Sequence, residues 1–206
     1  MTHKEIVNLI SNFNPPPKFA EEYSSLANHA QMLYYNTCKE NDDPDLRPFK
    51  KFLGLDSDSP ALKITDNNQV GVAPLPGDYD KYYSFTYLYN GKQVPIEVLD
   101  EKTFDYRKNH PTEVPTKRYP ACNIHGNEIS FLPLQLQFAN FSYLRHPATV
   151  KMSVKNTHGY AEYDPTTSVE FEWDESAYPF IIQNILNLIG IPATINEINN
   201  LKNQKQ

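Results

Sequence analysis

The chain has 206 residues, 39% of them hydrophobic and 21% charged, with 17 prolines against 7 glycines. That composition excludes disorder and a membrane-bound class, and the length suffices to bury a core without disulfides or metals. The net charge of −6, with no run of five basic residues, argues against a general nucleic-acid binder, because phosphate contacts need clustered Lys and Arg.

In chain order, Ile6, Leu9 and Ile10 form one face of a short helix, which Pro15, Pro16 and Pro17 stop. A second helix starts near Pro17, with Phe19, Tyr23, Leu26, Ala27, Ala30 and Tyr34 as one buried stripe. After Asn41-Asp42-Asp43-Pro44-Asp45, a short helix or turn has Leu46, Phe49, Phe52 and Leu53 on its apolar side. The aromatic run 82–89, the pair Asn90-Gly91 and the run 93–99 predict a β-hairpin, since Asn-Gly takes the left-handed conformations of a tight hairpin turn. Asp100 caps a short polar helix over 100–108, with Thr103 at its third position. His125-Gly126-Asn127 is a second turn, followed by a strand at 129–132. A further strand runs from Leu134 through Leu136, Phe138 and Phe141 to Leu144, and Val150, Met152 and Val154 alternate as another.

Asp174 is placed to cap a helix through Pro179 to Ile189 that is apolar on more than half its girth: Ile181, Ile182, Ile185, Leu186, Leu188 and Ile189. Such a helix needs cover on two sides, and the carboxy-terminal third is expected to carry more apolar surface than a lone copy can hide. Gly190 suits the C′ position and Pro192 prevents continuation. Thr194 and Glu197 form a capping box for a last helix to about Lys202. The expected fold is α+β, with N-terminal helices, a central and mostly antiparallel sheet, and C-terminal helices packing on the sheet and on neighbouring subunits. Residues 1–206 read as one domain, with a helical part over 1–55, a β-rich part over 60–173 and closing helices over 174–206.

Reactive constellations are missing from this pattern. No two of His3, His29, His110, His125, His146 and His158 stand at i, i+4, and there is no Cys-x-x-Cys. Phosphate-loop, Gly-x-Ser-x-Gly and zinc-protease motifs are absent. Cys38 and Cys122 read as reduced, buried and inert thiols. Asp42 and Asp43 read as a solvated loop, and Glu170 and Glu172, alternating with Phe171 and Trp173, as the wet side of a strand. The expectation is a non-catalytic protein without metal or cofactor. The first residues, MTHKEIVNLISNFN, lack a long apolar h-region, and no segment approaches ~20 apolar residues, so assembly in a cytoplasm-like compartment is expected.

An ordered set of short motifs adds a resemblance. It comprises Leu26-Ala27-Asn28-His29-Ala30-Gln31, Leu46-Arg47-Pro48-Phe49 and Leu75-Pro76-Gly77-Asp78-Tyr79. Then come Pro115-Thr116 through Tyr119-Pro120, Tyr143-Leu144-Arg145-His146-Pro147, and Ser168-Val169-Glu170-Phe171-Glu172-Trp173 ahead of Gly190-Ile191. Together they span nearly the whole chain, and it resembles a family of small structural proteins of tailed bacteriophages of Bacteroidetes hosts, the crAss-like phages among them. The resemblance implies a head–tail connector, a ring or adaptor subunit that joins the portal to the tail, distantly like the tail-tube or gatekeeper adaptors of podoviruses. It implies a homo-oligomer, a dodecamer in the virion neck, with the portal and adjacent ring or tail proteins as partners. Packaged DNA would pass through the lumen without sequence-specific binding, and twelve copies each of charge −6 would repel it so that it slides during ejection.

Closed rings use head-to-tail contacts. The residues expected to supply subunit or partner contacts are Tyr82, Phe85, Tyr87 and Tyr89 of the aromatic run, and Trp173, Phe180, Ile181, Ile185, Leu188 and Ile189 of the closing segment. Tyr-rich strands of low charge suit interface cores. The aromatic run has a second reading, as a tail-associated β module that binds a host-surface glycan or another tail protein. A third is a hydrolase with an unrecognised site.

Overall fold

The computed structural model describes residues 2–10, 20–54, 60–67, 69–157 and 160–203. Pro15, Pro16, Pro17, Phe19 and His158 lie outside them. In chain order the elements are helices α1 (His3–Ile10) and α2 (Ala20–Asn41), then strands β1 (Lys50–Leu53), β2 (Leu62–Lys63), β3 (Thr65–Asn67) and β4 (Val70–Pro74). There follow β5 (Tyr79–Tyr89), β6 (Lys92–Pro95), β7 (Glu97–Val98), helix α3 (Glu101–Asn109), β8 (Ala121–His125), β9 (Glu128–Leu132) and β10 (Phe138–Arg145). The hairpin β11 (Val154–Thr157) and β12 (Tyr160–Tyr163) and the helices α4 (Tyr178–Leu188) and α5 (Ile195–Asn203) close the chain. This is the expected α+β class: helices at both ends and mostly antiparallel strands between. The contacts divide it into two units, one of Met1–Pro48 with Pro147–Gln206, the other of Phe49–His146. Residues 147–173, read from periodicity as part of the β-rich region, therefore belong with the helices.

The inserted unit is a three-layer β structure. One sheet has the order β1-β10-β5-β6, with β2 also on β10, and the other has the order β3-β4-β9-β8-β7. Their facing sides enclose a core of Phe85, Tyr87, Ile129, Phe131, Phe141 and Tyr143 with smaller apolar neighbours. Phe85 stacks on Phe141 at 4.2 Å and meets Phe131 of the other sheet edge-on. Such aromatic pairs add about 1 kcal/mol beyond burial. The hairpin β5–β6 turns at Asn90 (φ 50°) and Gly91 (φ 75°), the left-handed pair that its sequence demands. The β8–β9 turn uses Gly126 (φ 56°) in the same way. Gly71 has another cause, since a side chain there would collide with the buried Ile64 methyl. Helix α3, capped by Asp100 accepting from the Thr103 amide, covers the far side of the second sheet, burying Phe104 with Leu99, Ala121 and Leu132.

The other unit is built on α2. Its stripe of Tyr23, Ala27, Ala30, Gln31, Tyr34, Tyr35 and Cys38 is buried, with Leu26 half-buried beside it. Helix α4 lies along it, with Ala30 accepting from the Asn184 side chain and Tyr34 stacking on Phe180, so the two run antiparallel. The apolar girth of α4 is mostly covered here, with Phe180 and Leu188 left exposed. Tyr178, Ile181, Ile182, Ile185 and Leu186 are buried, and α2, α1 and α5 supply the cover that was sought in the sheet and in neighbouring subunits. Gly190 (φ 80°) ends α4, with the Ile191 amide donating to Leu186. Thr194 and Glu197 form the expected capping box of α5.

Several local expectations change. The strand expected from Leu134 begins only at Phe138, the run 93–99 divides into β6 and β7 of different sheets, and residues 170–173 form no strand. Phe52 and Leu53 lie on β1, because the 3-10 turn Pro44–Phe49 ends there, and Phe52 is exposed. Asp174 does not cap α4; its carbonyl closes a turn with the Ala177 amide, and α4 begins at Tyr178. Around Val150 and Met152 no strand forms before β11 beyond a bridge from Lys151 to Val169, since this backbone bonds instead to side chains of α2.

Candidate assembly interface

The groups able to do chemistry come first, and His3, both cysteines, Glu170 and Glu172 are buried or engaged in holding the fold, while His29, His125 and His146 are exposed. His3 is fully buried; its Nε2 donates to the Val169 carbonyl at 2.7 Å, which leaves Nδ1 to accept from the Tyr23 hydroxyl at 3.2 Å. Burial pushes the Cys122 thiol up to about 12 and, with Asp43 and Asp45 nearby, the Cys38 thiol to about 11, so both stay protonated and poorly nucleophilic at neutral pH. Glu170 accepts from the His3 amide and the Tyr163 hydroxyl, and Glu172 from the Ala148 amide. Their alternation with buried Phe171 and Trp173 is as read from the sequence, but both carboxylates are backbone clamps rather than simply a wet face. Among the described residues no group of three His, Cys, Asp or Glu could hold a metal ion, and no helix is long and apolar enough to cross a membrane.

The short motifs turn out to be fastenings. Asn28 pairs with Val150 as a neighbouring strand would, donating to its carbonyl and accepting from its amide, both at 2.8 Å. Gln31 donates to Asn28 and to the Ala148 carbonyl and accepts from the Trp173 indole. The small residues that precede them, Ala27 and Ala30, are fully buried and leave room for close approach. In the β unit, Asp78 accepts from the Tyr143 hydroxyl and from Lys51, and its carbonyl accepts from the His146 amide. Burial opposes ionisation of Asp78, but these two donors hold its carboxyl below the usual carboxylate range.

The residues expected to contact partners fall into two groups. Phe85, Tyr87, Trp173, Ile181 and Ile185 are buried within the chain itself, which leaves them little or no surface for an interface. Phe85 and Tyr87 belong to the sandwich core, and the other three to the packing around α2. Tyr82, Phe180 and Leu188 are exposed, while Tyr89 and Ile189 are half-buried.

The larger exposed surface was missed. Outward positions of the sheet β1-β10-β5-β6 alternate with the core positions, and Phe52 (47% exposed), Phe138 (42%) and Leu88 (56%) occupy them, although Leu144 of the same row is buried. Tyr83 joins them through a bulge. Ser84 faces Ser142 and Tyr82 faces Tyr143, so Tyr83 is an extra residue and turns outward, where the Lys50 ammonium sits 5.0 Å from its ring centre. Lys50, Lys63 and Lys81 are exposed at outward positions of the same sheet, whose strands hold a single carboxylate, the largely buried Asp80 beside Lys81, 3.9 Å from His146. Simple alternation from Phe85 would have turned Tyr83 into the core. The signal that could have found the face was the pairing of exposed aromatics with lysines on separate strands, visible only once register is known.

Near the hairpin end, an open depression of about 520 Å³ is lined by Tyr89, Asn90, Lys117, Gln135 and Gln137 among others. Tyr87 also lines it, and its hydroxyl is buried with no hydrogen-bond partner among the described residues. Charge is divided between the units. The unit Phe49–His146 has eleven Lys and Arg against eleven Asp and Glu, whereas the helical unit has eight against fourteen and so carries the whole −6. Compared with protein-family models and with curated proteins, the chain matches none.

Proposed function

We propose that this chain is a structural subunit of a ring in the neck of a tailed phage, joining portal to tail and forming part of the DNA conduit. The observation that carries the reading is the outward, exposed placing of Phe52, Tyr83, Leu88 and Phe138 on one sheet. Exposed apolar side chains in two patches along one sheet face, with Ser84, Ser142, Thr86 and Asn140 between them, mark a surface for protein contact. The ordered motifs support it further, because Asn28, Gln31 and Asp78 of those motifs are fold-defining clamps, as a family of structural proteins requires. The role is non-catalytic and needs no cofactor. Labelling the chain with a bound antibody fragment in purified virions tests it. Density at the head–tail junction is expected, and labelling only at fibres or in the capsid interior would overturn it.

A second reading draws on the depression near the hairpin. Amide side chains beside a tyrosine suit sugar hydroxyls and ring faces, as in a glycan-binding tail module. Binding of a host-surface glycan by the isolated protein, lost in Gln137→Ala, would favour this reading over the ring.

A further inference from the structure

We infer that the lysine-bearing outward face of the β1-β10-β5-β6 sheet docks a second copy of this chain, through the acidic corner where its α4 begins. The inference rests on the ring reading and names the contact that would build it. The first surface is the one described: Phe52 and Tyr83 with Lys50 beside them, Lys81 on β5 and Lys63 opposite Phe138, and a single carboxylate on these strands, the largely buried Asp80.

The second surface lies in the helical unit. The Phe180 ring, 39% exposed, stacks on Tyr34 at 5.2 Å with the planes 8° apart. The Tyr34 hydroxyl donates to Asp45 at 2.6 Å, and the Ser176 hydroxyl donates to the same carboxylate at 3.0 Å. These bonds bring the 3-10 turn and the start of α4 together, and with them Asp43, Asp174 and Glu175. Arg47 is the one basic residue of that turn. An exposed aromatic with an acidic rim thus stands on the unit that carries all of the net negative charge. The aromatic face with a basic rim stands on the neutral unit.

Two different, mutually complementary patches on one chain define a head-to-tail contact, which generates rings where the rotation closes. Two like patches would give a closed dimer instead. Aromatic centres supply the desolvated area, and opposite charges fix orientation and speed encounter. A nucleic acid would use the lysine face but would be repelled by the acidic corner, so it leaves the second patch unexplained.

The test is charge exchange on the full chain, read by sedimentation velocity and mass photometry at high protein concentration. The wild type is expected to self-associate, and less so as salt shortens the reach of the charges. One variant carries Lys50→Glu, Lys63→Glu and Lys81→Glu; the other carries Asp174→Lys and Glu175→Lys. Each alone should associate at least roughly tenfold more weakly, while circular dichroism shows both folded. Mixing the two should restore association, because each then offers the patch that the other needs. A wild type that stays monomeric, variants that associate as it does, or a mixture that fails to recover would overturn the contact. Virion necks separate this failure from that of the ring reading. A ring whose copies meet through other surfaces overturns the contact alone, whereas absence of the chain from the neck removes the ring.

Discussion

The two units of this chain reach order by different means. The sandwich Phe49–His146 is held by an interior of stacked aromatics between two sheets, with Phe85, Phe141 and Phe131 at its centre. The helical unit is held as much by named polar fastenings, in which Asn28, Gln31, Ser24 and His3 pair with backbone groups of Ala148, Val150, Met152 and Val169. Dispersion and desolvation tolerate exchange among apolar residues of similar size. Side chains that complete backbone hydrogen bonds tolerate very little, because a lone buried amide or carbonyl loses its whole solvation.

The comparison is sharpened first by Phe141→Ala. Removing a fully buried ring from the aromatic stack should lower stability by about 3–5 kcal/mol, seen as faster amide exchange across β10 and β5. In the helical unit, Asn28→Ala leaves both polar groups of Val150 unpaired and should cost about 2–4 kcal/mol. The emission of Trp173, the single tryptophan, reports that loss because it lies in the same network through Gln31. Equal and small effects of the two substitutions would dissolve the distinction.

Asp78 gives a polar fastening within the sandwich, and it titrates. Its carboxyl is held below the ordinary range, so the stability it adds is full above the unfolded carboxylate pKa of about 4 and is lost as pH falls through the lower folded value. Asp78→Ala should cost about 1–2 kcal/mol at neutral pH, mostly through the buried Tyr143 hydroxyl, since the partly exposed Lys51 pair is screened. Urea titrations of wild type and variant should converge as the solution is acidified. The smallest effect belongs to Tyr87→Phe. Removing a hydroxyl without a protein partner should leave stability unchanged or raise it by about 1 kcal/mol. A clear destabilisation would mean that the hydroxyl has a bound partner in solution.

The secondary structure was legible where local chemistry decides it. Asn90-Gly91 specifies its turn by backbone conformation, Asp100 and Thr194 cap their helices, and the spacing of Tyr23, Ala27, Ala30 and Tyr34 marks the buried stripe of α2. What failed depends on distant pairing. The alternation of Val150, Met152 and Val154 reads as a strand, yet the partner for residues 148–152 is a helix side 120 residues away in sequence, about which periodicity is silent. The girth of α4 reads as surplus apolar surface, and α1, α2 and α5 cover most of it, leaving Phe180 and Leu188 exposed. The interface residues named from the sequence were partly lost for the same reason: Phe85 and Ile181 belong to cores. Tyr83 and Phe52 emerge as surface only after a bulge and a turn are placed.

The most direct test of the account is an electron cryomicroscopy map of the virion neck at side-chain resolution. The account predicts a closed ring of this chain, with the Tyr83 face of each copy against the Phe180 corner of the next. A neck built without this chain, or copies that touch no sister molecule, would contradict it.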